Sequence, residues 1–218
     1  MDIDSLKQNT EFLIESEEQL RSCYGDTHEI AIKKSLGTLD RYCREFILRS
    51  PFLCLSTQHE NGTADVSPRG DPSGFVKVID EKTIAIPDRP GNNRLDSLSN
   101  IVSNPSVGLL FIVPGFEDTL RINGRAFLSR DPELLASLAV NNRTPTLAIV
   151  VDVHEAFLHC AKAFRRSKLW QSDSHHDRKE LPSLPAMVTE QISGEAVEKN
   201  LAEKMGDDIE KEYQDTMY

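Results

Sequence analysis

Between residues 52 and 153 the chain repeats one pattern, a short strand-like run followed by a turn signal, and no other feature confines its fold as tightly. Residues 52–57 form the first run, and Pro51 before it disfavours helix at Ser50. Asn61-Gly62 is a strong hairpin turn, and residues 63–67 read as the returning strand. Residues 75–79 and 83–86 flank Asp80-Glu81 as a second hairpin. Residues 107–113 are almost wholly apolar, as in a strand buried on both faces. Residues 120–128 alternate: Leu120, Ile122, Gly124, Ala126 and Leu128 take one face, with Arg121, Asn123, Arg125 and Phe127 on the other. Residues 147–153 complete the series. Hairpin-linked strands with a few helices between them predict an antiparallel barrel rather than a βαβ sheet.

Helical patterning covers residues 5–21 and 30–49, a short stretch at 92–103 stopped by Asn104-Pro105, and residues 156–170. Asp131-Pro132-Glu133 opens another helix, with aspartate as cap and proline at the first position. The expected class is mainly β with flanking helices. A helical segment over 1–45 packs on a barrel over 46–171, and 172–218 is an acidic tail with helix around 183–206 and a mobile end.

The net charge of −10 is unevenly spread. Residues 1–30 hold eight acids and two bases, and residues 173–218 twelve acids and five bases, so the centre carries +3. That centre suits a phosphate-bearing small ligand and is too weakly basic for nucleic acid. No apolar run reaches the roughly 18 residues of a membrane span. The polar start MDIDSLKQNTEF lacks a secretory pattern, so a cytoplasmic location is expected. Cys23, Cys43, Cys54 and Cys160 are scattered and are expected as buried thiols, not a disulfide framework or a zinc site.

Three segments carry candidate binding chemistry. Residues 86–94, Ile-Pro-Asp-Arg-Pro-Gly-Asn-Asn-Arg, join a strand to a helix. Such a junction offers free backbone N–H groups and a favourable dipole to an anion, and arginine adds a fork of donors. The same residues would also serve as a plain polar loop with asparagine caps. In residues 65–74, Asp-Val-Ser-Pro-Arg-Gly-Asp-Pro-Ser-Gly, a period of two puts Asp65, Ser67 and Arg69 on one side; the alternative is a decorated turn. Residues 162–168 contain four bases and no acid. Lys162 and Arg166 share a helix face there, near Trp170, the sole tryptophan. They suit a planar anion, or else a solvated basic helix end.

Other patterns fail. His154 and His159 are five apart, about 140° round a helix, and miss the i, i+4 spacing of a zinc-protease helix. His175-His176-Asp177 reads as solvated surface. Cys160 beside His159 reads as a buried thiol. Rossmann, P-loop and hydrolase-elbow signatures are absent from the sequence.

The segments SPFLCLST, NGTADVSPRGDPSGF, IPDRPGNNRLDSLSNIVSNPSVGLLFIVPG, RINGRAFLSRDP and HEAFLHCAKAFRRSKLW stand in one order that resembles the FMN-binding split-barrel proteins related to pyridoxamine 5′-phosphate oxidase. The bacterial branch carrying SPRGDP and PDRPGN is the most similar. The resemblance covers residues 35–170. It implies a six-stranded antiparallel split barrel and a homodimer with FMN in clefts between subunits. It also implies cofactor contacts from Ser67 and Arg69, and from Pro87, Asp88, Asn92, Asn93 and Arg94. Lys162, Arg166 and Trp170 are the candidates for closing the flavin from the partner subunit. A small-molecule substrate or reductant is implied, with no nucleic acid and no membrane, and no catalytic residue or metal ligand is named. The oxidases' serine and arginine at the junction are replaced here by Asn92 and Asn93. Their C-terminal tryptophan–arginine–leucine–proline signature is absent, so the resemblance supports flavin binding more than vitamin B6 oxidation. The same fold could hold flavin, deazaflavin or haem without turnover.

Overall fold

A computed structural model describes residues 2–218. It divides the chain into two compact units, one up to Ser35 and one from Leu36 to Tyr218. Among the described residues the first contains three short α-helices, α1 (Ile3–Gln8), α2 (Glu17–Ser22) and α3 (Glu29–Lys33). The continuous helix expected over 5–21 is broken. Ser16 restarts it as an N-cap, its hydroxyl accepting from the Gln19 N–H while the Gln19 side chain accepts from the Ser16 N–H.

The second unit begins with Leu36, which pairs with Ala156 through backbone bonds of 3.0 and 2.8 Å. This bridge interrupts the helix expected over 30–49. Helix resumes as α4 (Arg41–Arg49), capped by the Asp40 carboxylate on the Cys43 N–H, and it buries Cys43, Phe46 and Ile47. β1 (Phe52–Gln58), β2 (Ala64–Gly70), β3 (Lys77–Val78) and β4 (Thr83–Pro87) follow, then α5 (Asp96–Ser103). β5 (Ser106–Ile112), β6 (Thr119–Ser129), α6 (Pro132–Ser137), β7 (Ala148–His159) and α7 (Lys162–Ser167) complete the central part. The tail forms α8 (Leu184–Ser193) and α9 (Lys199–Thr216), so helix runs well past the expected limit at 206.

Among the described residues seven strands pair antiparallel in the order β2-β1-β5-β6-β7-β4-β3, one strand more than the expected six. The shortest, β3, places Lys77 and Val78 opposite Ala85 and Ile84. Its turn is set by the Asp80 carboxylate, which accepts from the Lys82 N–H at 2.7 Å. Alternate residues fill the interior: Leu53 and Leu55 of β1, Leu109 and Phe111 of β5, Leu120 and Ile122 of β6, Ile149 and Val151 of β7. Ile47 of α4 and Ile101 of α5 pack into the same cluster.

Two expectations fail here. Residues 156–159 are strand, not helix, because β6 is eleven residues long and its first half pairs with β7 from Glu155 to His159. A bulge between Asn123 and Gly124 lets that pairing continue. Gly124 lies so close to β7 that a Cβ would stand 2.1 Å from the Asp152 carbonyl oxygen. Of the cysteines only Cys43 is fully buried; Cys54 is half-buried, and Cys23 and Cys160 are exposed. Cys160 ends up in solvent because β7 has already ended at His159. Burial, reinforced by Asp40, pushes the Cys43 thiol up to about 12. No helix among the described residues is long and apolar enough to cross a membrane.

Candidate functional site

The sheet curls until β2, at one edge, meets the chain leaving β4, sixth in the order. The Arg69 guanidinium on β2 donates to the Asp88 carboxylate just past β4 at 2.8 Å, joining the two ends. A cleft of about 840 Å³ opens beside this link, within the roughly 300–1,000 Å³ of small-molecule sites. Its walls are β2, the loop from Pro87 to Leu95, the start of α5, and residues 143–147.

β2 presents its residues by strand alternation. Asp65, Ser67 and Arg69 are half-buried, Val66 and Pro68 are exposed, and all five border the cleft. Asp65 accepts from the Ser97 hydroxyl at 2.8 Å, which fastens α5 to β2, and the Asn100 amide donates to Thr57 at 3.0 Å, which fastens it to β1. The Ser67 hydroxyl faces the cleft, and its described protein contact is a long 3.5 Å approach to its neighbour Pro68. The side chain of Arg69 is 17% exposed, and its Nε is buried without a hydrogen-bond partner. An orphaned buried donor costs stability unless an acceptor arrives, and a bound anion would supply one.

The opposite wall differs from the expected helix start. Asn92, Asn93 and Arg94 lie before α5, not in its first turn. Asn93 and Leu95 adopt left-handed backbone, with φ of 57° and 60°, so helix cannot begin before Asp96. The Asn92 carboxamide oxygen accepts from the Arg94 N–H at 3.1 Å. Arg94 pairs with Asp96 at 2.8 Å and its side chain is 73% exposed. Pro87 is buried at the end of β4, and Asp88 serves as the counter-ion of Arg69.

Four arginines, Arg69, Arg89, Arg94 and Arg143, line this cleft, and Arg69, Arg89 and Arg94 are each paired with an aspartate, Asp88, Asp71 and Asp96 respectively. With Asp65 the carboxylates equal the guanidiniums in number, so the unfilled Arg69 Nε, and not net charge, is what a bound anion would answer. Arg89, Arg143, Asp71 and Tyr218 escaped the sequence reading as single residues. Arg89 and Asp71 stood inside the two motifs and pair at 2.6 Å, with the Asp71 carboxylate 1% exposed. Tyr218 carried no local signal, yet its hydroxyl donates to Asp71 at 2.6 Å. Asp71 in turn holds the Tyr218 phenol above its ordinary range, chiefly through that hydrogen bond.

Lys162, Arg166 and Trp170 stand elsewhere. None of them lines this cleft within the chain. The Trp170 indole N–H donates to the Phe116 carbonyl at 2.7 Å, its ring leans on Phe164, and Arg165 pairs with Glu117 at 2.7 Å. These bonds dock α7 on the loop between β5 and β6 and leave Lys162 and Arg166 exposed. Among the described residues no cluster of three or more histidine, cysteine, aspartate or glutamate side chains could hold a metal ion.

Solved structures with some similarity include HupZ of Group A Streptococcus, at 14% identity over 55% of this chain and 92% of that one, with a TM-score of 0.46. An FMN-binding protein from Syntrophomonas wolfei is 10% identical over 66% of this chain and 96% of that one, TM-score 0.42. An F420 reductase is 18% identical over 53% and 94%, TM-score 0.38. No curated protein matches the chain. The family described as pyridoxamine 5′-phosphate oxidase matches residues 39–160, from α4 to the end of the sheet. That match covers more than half of the 218 residues, and the chain belongs to the pyridoxamine 5′-phosphate oxidase family.

Proposed function

We propose that this chain is an FMN-binding flavoprotein and an oxidoreductase of the pyridoxamine 5′-phosphate oxidase-like class, acting as a homodimer on a small-molecule substrate in the cytoplasm. The observation that carries the reading is the buried, unpartnered Nε of Arg69 beside a cleft rich in arginine. A phosphate oxygen would satisfy that donor, and Ser67 lies two residues away on the same face of β2. Asn92, Asn93 and Arg94 supply further donors from the facing loop, and the buried ring of Pro87 with Asp88 fixes where that loop leaves the sheet. Charge-assisted contacts of this kind are the strong ones in phosphate recognition.

Bound FMN supplies the redox chemistry of hydride or electron transfer. The chain's own residues bind, orient and exclude water. Asp88 holds the Arg69 fork in place, and Asp65 holds Ser97 at the start of α5. A dimer would cover apolar side chains that the sheet exposes, Phe127 at 57% exposure among them. In that dimer Lys162, Arg166 and Trp170 of one subunit close the flavin held by the other.

The test is purification followed by a visible spectrum and an FMN titration. Flavin bands or saturable uptake are expected; neither would sink the reading. Reduction of the bound flavin by NADH or NADPH separates an enzyme from a binding or sensor module. Preference for a deazaflavin or haem over FMN in the same titration would reassign the cofactor.

A further inference from the structure

The tail after α7 brings an aromatic side chain back to the cleft. α8 and α9 pack on each other, with the Ser183 hydroxyl donating to the Ala202 carbonyl at 2.6 Å and the Glu190 carboxylate accepting from the Val197 N–H at 2.8 Å. α9 buries none of its own residues. Its last turn leads to Tyr218, which lines the cleft together with β2 and the loop from Pro87 to Leu95.

Tyr218 closes a three-membered chain of contacts. Its phenol donates to one Asp71 oxygen at 2.6 Å, and Arg89 Nε donates to the other at 2.6 Å. A second Arg89 nitrogen donates to the Leu138 carbonyl at 2.9 Å, and the guanidinium carbon sits 5.8 Å from the Tyr218 ring centre. Asp71 and Arg89 are therefore fixed from several sides. Tyr218 is fixed by one hydrogen bond and one ring contact, at the end of a helical pair that packs chiefly on itself. Such a contact opens at far lower free energy than the sheet.

The geometry points to the segment after α9 as a latch on the cleft: Tyr218, held by Asp71, forms a movable wall that controls entry and release of the bound ligand. This rests on the proposed FMN reading for the identity of the ligand, not for the latch itself. In the closed state the ring covers Arg89 and narrows the way out. In the open state Arg89 and Asp71 keep each other as partners, so opening strands no buried charge.

Two variants of the full chain test it. Tyr218→Phe keeps the ring and removes the hydrogen bond; Tyr218→Ala removes both. Hydrogen–deuterium exchange is followed in α9 and in residues 91–95 across the cleft, and FMN release is followed by stopped-flow fluorescence. Loss of a charge-assisted hydrogen bond corresponds to about tenfold, so about tenfold faster exchange in both segments is expected for Tyr218→Phe. FMN release is expected to speed up by a similar factor, and by more in Tyr218→Ala. Unchanged exchange in both variants overturns the latch, whether or not FMN binds. Faster exchange with unchanged FMN release overturns its control of the cleft, because a tail that merely docks would behave so. If the unaltered chain takes up no FMN, the cofactor reading fails by itself. The latch then stands if exchange rises together in α9 and residues 91–95, and falls if it rises in α9 alone.

Discussion

The β2 cleft and α7 each set arginine or lysine beside an aromatic ring, and the residues of α7 do not line the cleft. Arg69 of β2 and the pair Arg89 and Arg94 of the Pro87–Leu95 loop converge from two separate stretches of chain because the sheet curls its edge strand onto the exit of β4. Around α7 the bases are neighbours in sequence, yet their helix faces solvent and Trp170 is occupied by a backbone carbonyl. Local density of positive charge is therefore a poor guide to an anion site. Convergence, partial burial and an unfilled donor are the better ones, and Arg69 has all three.

The sharpest way to break this comparison is Arg69→Ala. It removes the orphaned donor and leaves Asp88 without its partner in the cleft, a loss of about 2–5 kcal/mol. FMN affinity is expected to fall at least thirtyfold, read by fluorescence titration. A smaller change would show that the arginine serves the sheet and not the ligand. Arg94→Ala comes next. Its exposed pair with Asp96 already competes for the guanidinium, so the expected loss is the lower end of a charge-assisted contact, about tenfold. Unchanged affinity would remove Arg94 from the site.

The Lys162→Ala, Arg166→Ala double variant sharpens the other side. Exposed ion contacts are worth about 0–1 kcal/mol, so a loss of about threefold is expected, and only at protein concentrations where the dimer persists. The same loss in a monomeric sample would contradict closure from the partner subunit.

Much of the winning region could be read from the chain itself. Alternation placed Asp65, Ser67 and Arg69 on one face of β2, and the turn signals separated the strands. The facing loop was legible as a binding segment but not in its conformation: left-handed backbone at Asn93 and Leu95 delays the helix to Asp96, and although asparagine tolerates that conformation, leucine does not announce it. Tyr218 was illegible, because its neighbours on Asp71 lie 147 positions away. The strand at 156–159 was misread for a similar reason. Its partner is β6, and periodicity over a few residues does not see partners.

A change outside both regions sets the baseline, and its effect on FMN affinity is the smallest. Asp40 caps α4, and its carboxyl is held below its ordinary value chiefly by the Cys43 N–H. A lowered folded-state value means the stabilisation is fully present above the unfolded value near 3.9 and is lost as pH falls through the folded one. Asp40→Ala is expected to cost about 1 kcal/mol at neutral pH and nothing in strong acid, with FMN affinity untouched. Denaturant melts at several pH values check it.

The central claim is that the cleft between β2 and the Pro87–Leu95 loop grips a phosphate. Calorimetric titration of the unaltered protein with FMN and with riboflavin, which differ by that phosphate, tests it most directly. FMN is expected to bind at least tenfold more tightly. Equal affinities would contradict the account.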